Sequence, residues 1–207
     1  PLERGERAVD RIDQLVSELL TLARQGSGID EPTEFDLEGA VREAWATAGS
    51  DDATLVVGAH ARVRGDRGRL RQALENLFRN CVEHGSTGGR TNSDDRVDHT
   101  SDGGDDLTVV VSATAEGFLV ADDGPGIDPE HRDEAFDPGF TTSADGTGYG
   151  LDIVREVVES HGWTVRLRPD ADVPALPPAV PQPDGACFVV EAPGPDAVTA
   201  AEPWIDG

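Results

Sequence analysis

Apolar side chains at Leu70, Ala73, Leu74, Leu77, Phe78 and Cys81 recur at i, i+3, i+4, i+7, i+8 and i+11, the spacing that lays one stripe along an α-helix. Residues 68–84 are therefore predicted to form a helix whose stripe other elements must cover. Its polar face carries Asn76 and Asn80, four apart and so neighbours on the helix surface. Each carboxamide offers a carbonyl oxygen suited to a hard cation. Any solvated helix face also carries such residues, so the pair alone does not distinguish a site from a surface.

Helix and strand signals alternate around this element. Asp36 can cap a helix over residues 37–48, and residues 54–57 and 61–63 read as short strands ending at Gly65-Asp66. Residues 107–112 and 117–121 form two strands about the turn Thr114-Ala115-Glu116-Gly117, so the second strand delivers its end into Asp122. A helix over 151–160 stops at Gly162, and strands follow at 163–167 and 186–191. This mixture predicts an α+β fold.

The remaining segments set the domain plan. Val9, Ile12, Val16, Leu19 and Ala23 line a narrow helical seam that suits a partner helix, although an amphipathic core helix would carry the same pattern. Residues 1–26 are assigned to that helix, and residues 30–35, punctuated by Pro32, to an extended linker at the boundary of a main domain over 27–195. Within the domain, residues 85–106 read as a mobile acidic insertion and 169–184 as a Pro-rich loop. Residues 196–207 are a tail without usable periodicity.

Charge narrows the partners. Forty-one acidic residues face seventeen basic ones for a net charge of −24, and every basic residue is Arg. Nucleic acid and anionic membranes are excluded as partners of the average surface. Such a surface resembles that of proteins from salt-loving microbes, in which concentrated salt screens the repulsion. Cys81 and Cys187 each lie in an apolar run without a second ligand at metal-binding spacing, the context of buried free thiols. No run of about 18 apolar residues exists, and the expectation is a cytoplasmic domain.

Two glycine stretches could carry chemistry, although an ordinary turn for the first and a plain flexible loop for the second would show the same glycines. Asp122-Asp123-Gly124-Pro125-Gly126-Ile127 places a carboxylate at a strand end, able to accept from an exocyclic amine, beside glycines that admit a ligand to the backbone. Gly146-Thr147-Gly148-Tyr149-Gly150-Leu151 runs into a helix, where amides and the helix N-terminus suit phosphate oxygens. Between them lie Phe136 and Phe140, followed by Thr141 and Thr142, which could equally plug a core.

In their order, an Asn-x-x-x-Asn helix, strand-Asp-x-Gly-x-Gly, Phe-x-x-x-Phe and Gly-x-Gly-x-Gly before a helix, these motifs resemble the boxes of histidine kinase ATP-binding domains, within the wider family of gyrase, Hsp90 and MutL ATPases. The resemblance covers residues 36–191. It implies a Bergerat-type two-layer α/β sandwich, a mixed sheet covered by helices on one face. It also implies ATP and Mg²⁺ as cofactors. Asn80 would ligate Mg²⁺ with help from Asn76. Asp122 would take the adenine amine, with Gly124, Gly126 and Ile127 beside it. Gly146, Thr147, Gly148, Tyr149, Gly150 and Leu151 would hold the phosphates. Residues 136–146, with Phe140, Thr141 and Thr142, would form a lid. Arg11-Ile12-Asp13 and Leu19 to Arg24 resemble the second helix of the dimerisation and phosphotransfer domain, which favours the kinase branch.

One position departs from the family pattern. The asparagine helix usually ends in a basic residue and then Tyr or His, whereas here Glu83 precedes His84. His84 matches; Glu83 would repel a triphosphate, and Arg79 and Arg132 are candidates to supply the missing cation. None of His60, His84, His99, His131 or His161 has the His-Glu-like context of a phospho-acceptor. The expectation is a piece of a longer sensor kinase that homodimerises, phosphorylates a histidine outside this piece and relays to a response regulator. A serine-kinase anti-sigma factor and a non-catalytic nucleotide-binding or dimerisation module are the alternatives.

Overall fold

The computed structural model describes residues 29, 31–58, 61–85, 107–142, 146–168, 176, 183–193 and 197–200. The helix expected at 1–26 lies outside them, as do nearly all of the insertion expected at 85–106 and most of the loop expected at 169–184.

The chain enters as strand β1 (Thr33–Asp36) and turns directly into helix α1 (Leu37–Ala48). The turn is sharp because Asp36, in extended backbone, accepts the Gly39 N–H on its carboxylate at 2.9 Å, meeting one of the four donors a helix start leaves open. Strands β2 (Ala53–Val57) and β3 (Ala61–Gly65) lead to α2 (Arg67–Gly85), capped by Asp66, whose Oδ1 accepts the Arg69 N–H at 3.0 Å. Strands β4 (Leu107–Ala113) and β5 (Gly117–Asp122) form a hairpin, closed by the Thr114 N–H on the Gly117 carbonyl at 2.9 Å. Helix α3 (Gly150–Ser160), β6 (Thr164–Arg168), β7 (Cys187–Glu191) and β8 (Val198–Ala200) complete the order.

The main sheet runs β2-β4-β5-β7-β6, parallel only between β2 and β4. Alternation sorts its side chains: Val109, Val111, Phe118, Val120, Phe188 and Val190 face the three helices, while Val110, Leu119, Ala121, Cys187 and Val189 pack on the other face with Leu176. The helical layer contributes Leu37, Val41, Leu70, Leu74, Leu77, Phe78, Val154 and Val158. Phe78 is fully buried, edge-on to Trp45 at 5.2 Å, packing of the kind whose truncation to Ala costs about 3–5 kcal/mol. The α+β sandwich with helices on one face is thus the observed architecture.

Two segments differ from the sequence expectation. Residues 33–35, read as the end of a linker, form β1 together with the capping Asp36, and residues 198–200, read as tail, form β8; both flank β3 in a second, three-stranded antiparallel sheet. Each is short, and β1 buries only Phe35, so neither displays a local alternation. They are strands because β3 offers both edges. The boundary expected at residue 195 accordingly falls before the last paired strand.

Candidate functional site

The polar ends of four elements surround one cavity of about 300 Å³. From α2 come Asn76, Asn80, His84 and, at its rim, the exposed Glu83. The end of β5 supplies Asp122, and the stretch behind it Gly126 and Ile127. Phe140, Thr141 and Thr142 close one side; Gly146, Thr147, Gly148, Gly150 and Leu151 close another as they lead into α3. Groups 74 residues apart in sequence, Asn76 and Gly150, therefore share a wall: a Cβ placed on Gly150 would lie 3.7 Å from Asn76 Oδ1 and 3.5 Å from Asn80 Oδ1.

The two asparagines differ. Asn76 is 7 % exposed, and its amide donates to the Gln72 carbonyl at 3.0 Å. Asn80 Nδ2 is buried with no hydrogen-bond partner. A lone buried N–H of this kind is uncommon, and here it sits on a cavity wall beside the start of α3.

The Gly146 to Gly150 stretch owes its shape to Gly148. Its φ of 74° lies in the left-handed region, and a Cβ there would stand 2.4 Å from the Gly139 carbonyl carbon. The Gly139 N–H bonds the Gly148 carbonyl at 3.0 Å, tying the Phe140 segment to the glycine stretch. Helix α3 then begins at Tyr149 without a side-chain cap, so its first amides and positive dipole end open toward the cavity.

Asp122 is the only carboxyl buried among the described residues, at 4 % exposure. Its Oδ1 accepts the N–H of Gly124 at 3.0 Å and of Ala186 at 3.2 Å. Gly185 has no Cβ because one would lie 2.3 Å from that oxygen. Burial pushes the Asp122 pKa up, against the pull of the Cys81 thiol and the two backbone N–H groups. The Cys81 thiol is itself pushed well up, by burial first and then by the Asp122 charge.

Two predicted site residues stand off this wall. Tyr149 is 38 % exposed on the outer surface, because the side chain of a helix-capping residue projects away while its backbone approaches. Gly124 serves instead as a backbone donor to Asp122. Of the two candidate cations, Arg79 lies on the wall, whereas Arg132 turns its Nε to the Ile127 carbonyl at 3.1 Å. Phe136 packs edge-on to Phe188 at 6.3 Å in the core, and Phe140 tilts against His131 at 5.4 Å at the cavity; one aromatic plugs and the other lines. Sequence reasoning missed Cys81, His131, Ala186 and Phe188 on the wall. The first and last were legible only as core positions of a helix stripe and a strand.

Comparison with known proteins gives concordant matches. The profile described as "Histidine kinase-, DNA gyrase B-, and HSP90-like ATPase" matches residues 65–196. The sensor histidine kinase ZraS of Klebsiella oxytoca is 33% identical over 168 residues, 77% of this chain and 33% of that protein. The methanogenesis regulatory histidine kinase FilI of Methanothrix harundinacea is 31% identical over 77% of this chain and 18% of its own length. The chain thus spans a third or less of these curated relatives. Full-length ShkA, solved with AMPPNP, superposes with TM-score 0.63 at 27% identity, over 94% of this chain and 38% of that one. The mycobacterial sensor histidine kinase MprB shares the fold with TM-score 0.57 at 24% identity, over 78% of this chain and 98% of that one.

Proposed function

Because the chain belongs to the histidine kinase-, DNA gyrase B- and HSP90-like ATPase family, we propose that it is the ATP-binding catalytic domain of a two-component sensor histidine kinase. It would transfer the ATP γ-phosphoryl group to a histidine of the dimerisation helices, for relay to the aspartate of a response regulator. The observation that carries this reading is the convergence of the Asn76 and Asn80 carboxamides, the Asp122 carboxylate and the Gly146 to Leu151 backbone on one cavity.

The parts suit the nucleotide. Asp122 accepts from the adenine amine, with Gly126 and Ile127 beside the base. The amides at the uncapped start of α3 receive phosphate oxygens. Transfer in line to a histidine nitrogen forms a P–N bond as the bond to the ADP oxygen breaks, and the domain contributes position and oriented dipoles. One relative, ShkA, was solved in complex with AMPPNP.

Magnesium fits the donor set in a particular way. Among the described residues no group of three or more His, Cys, Asp or Glu side chains could hold an ion, so a cation would be shared between carboxamide oxygen and phosphate, as Mg²⁺ commonly is. Asn80 would hold it through its carboxamide oxygen, assisted by Asn76, while its unpartnered Nδ2 is a donor left for a phosphate oxygen. The bound ion would spread the phosphate charge. No described helix is long and apolar enough to cross a membrane, and cytoplasmic placement, a full-length homodimer and the response regulator belong to this same proposal.

Glu83 on the wall favours a second reading, a module that binds nucleotide without transferring phosphate. One experiment separates the two. Mg-ATP is titrated in molar KCl into wild type and Asn80→Ala, and a separate polypeptide carrying the phospho-acceptor helix is then added with γ-labelled ATP. Wild-type binding, lost in the variant, and base-stable, acid-labile label on the acceptor are expected. Binding without label leaves the second reading standing; no binding by folded protein sinks both.

A further inference from the structure

The carboxylates of Glu83, Asp122 and Asp128 line the cavity, and Arg79 is the only arginine among them. The chain as a whole is similarly unbalanced, with 41 acidic residues to 17 basic ones. Most described arginines are accordingly held by a carboxylate, among them Arg42, Arg67, Arg71, Arg155 and Arg168. Arg79 is not. Glu75, one turn before it on α2, gives its carboxylate to Arg71, and among the described residues no acceptor lies within bonding distance of the half-buried Arg79 guanidinium.

A second unmet donor stands beside it. Asn80, the next residue, carries the buried Nδ2 without a partner. Against the two asparagines lies Gly150, at the start of α3, which has no side-chain cap. Three sources of N–H groups therefore open on one cavity, and a ligand that satisfies them carries negative charge on several oxygens, as a phosphate chain does. Positions three and four apart share a helix face, so Arg79 lies in one row with Asn76 before it and Glu83 after it. The arginine stands between the Glu83 carboxylate and the asparagine wall.

We infer that Arg79 is a binding residue for the phosphate chain: its guanidinium takes phosphate oxygens directly and offsets the Glu83 carboxylate one turn further along α2. The inference rests on the ATP reading above and deepens it by assigning the cation at the phosphate end. A bound Mg²⁺ leaves part of a triphosphate's charge uncompensated, and an unopposed carboxylate on the wall would repel it. Arginine suits the task because it stays charged at any working pH and its planar fork can direct two parallel N–H bonds at one phosphate. Neither of the other wall carboxylates is turned to Arg79: Asp122 Oδ1 accepts the N–H groups of Gly124 and Ala186, and Asp128 Oδ1 accepts that of Glu130 at 2.9 Å. Arg132 cannot substitute, since its Nε is given to the Ile127 carbonyl and the residue lies off the wall.

The test is calorimetric binding of adenosine and of Mg-ATP in molar KCl to wild type, Arg79→Ala and Arg79→Lys. Adenosine carries the base and sugar without phosphate, so it reports whether the pocket is intact, and a contact confined to phosphate changes the ratio of the two affinities. Arg79→Ala is expected to weaken Mg-ATP about ten- to a hundredfold, the scale of hydrogen bonds to a charged group, and to leave adenosine unchanged. Arg79→Lys, which keeps the charge without the fork, should recover part of the loss. An unchanged Mg-ATP affinity in Arg79→Ala, an equal loss for adenosine, or Arg79→Lys as weak as Arg79→Ala would each overturn the proposal. Folded wild type that binds neither ligand would instead remove the ATP reading and the role of Arg79 with it. Should Arg79→Ala fail to fold, the nitrogen resonance of Arg79 Nε in wild type decides: a shift on adding Mg-ATP that adenosine does not produce supports the contact, and its absence refutes it.

Discussion

Asn80, the proposed cation ligand, carries a group adverse to stability. Its buried amide nitrogen lacks a partner, and an unmet donor of this kind costs about 1–3 kcal/mol. Asn80→Ala is therefore expected to hold or raise the melting temperature of the free domain while removing its stabilisation by Mg-ATP, read in thermal melts with and without nucleotide. A variant that melts several degrees lower without ligand would show that Asn80 serves the fold. Asp122 is the counterpart. The N–H groups of Gly124 and Ala186 both bond its Oδ1, and they offset only part of its burial, which still raises its pKa.

At the scale of elements, the helices that line the cavity are joined at their opposite ends by His161. Its Nδ1 lies 2.7 Å from the Val157 carbonyl, its Nε2 accepts the Asp66 N–H at 3.0 Å, and its ring lies 4.5 Å from Trp163. One nitrogen must donate and the other accept, which only the neutral ring can do. Burial accordingly lowers the His161 pKa, opposed by the Val157 carbonyl and the nearby Asp66 charge. The folded state then binds fewer protons than the unfolded chain, so this group's contribution is present above the unfolded value near 6.5 and is lost as pH falls from there toward the folded value. Acidification below that point should lower the melting temperature, and His161→Gln should flatten this part of the curve at a cost of about 1 kcal/mol. Asp122 acts in the opposite sense, its raised pKa favouring the folded state toward acid, so the difference between wild type and variant is the measurement. Identical pH dependence in the two proteins would show that the α2–α3 clip does not titrate.

For the whole molecule the dominant quantity is charge. A surface at −24 repels itself across distances that shrink from about 10 Å of screening at 0.1 M salt to about 3 Å at 1 M. Ion pairs such as Arg62–Glu34 and Arg67–Glu43 are exposed on both sides and contribute little each. The melting temperature should rise steadily as KCl is taken from a tenth molar into the molar range, by more than an osmotically matched sucrose series produces. Equal curves in the two series would rule out repulsion as the limiting term.

Periodicity and punctuation are local, and whatever they encode was legible from the residues: the α2 stripe from Leu70 to Cys81, the Asp36 cap, the paired runs that become β4 and β5, and the placement of Asp122 at a strand end. The order of the asparagine and glycine motifs likewise anticipated that Asn76, Asn80, Asp122 and the Gly146 to Leu151 stretch would border one cavity. Tertiary structure alone decided what depends on partners distant in sequence. Strands β1 and β8 exist because β3 pairs with both, β7 inserts between β5 and β6, Tyr149 turns outward, and Cys81 meets Asp122 with the Ala186 N–H. A short strand or a buried thiol carries no signature of its partner, because hydrogen bonding across a sheet and contact across a core depend on spatial neighbours rather than on residues adjacent in the chain.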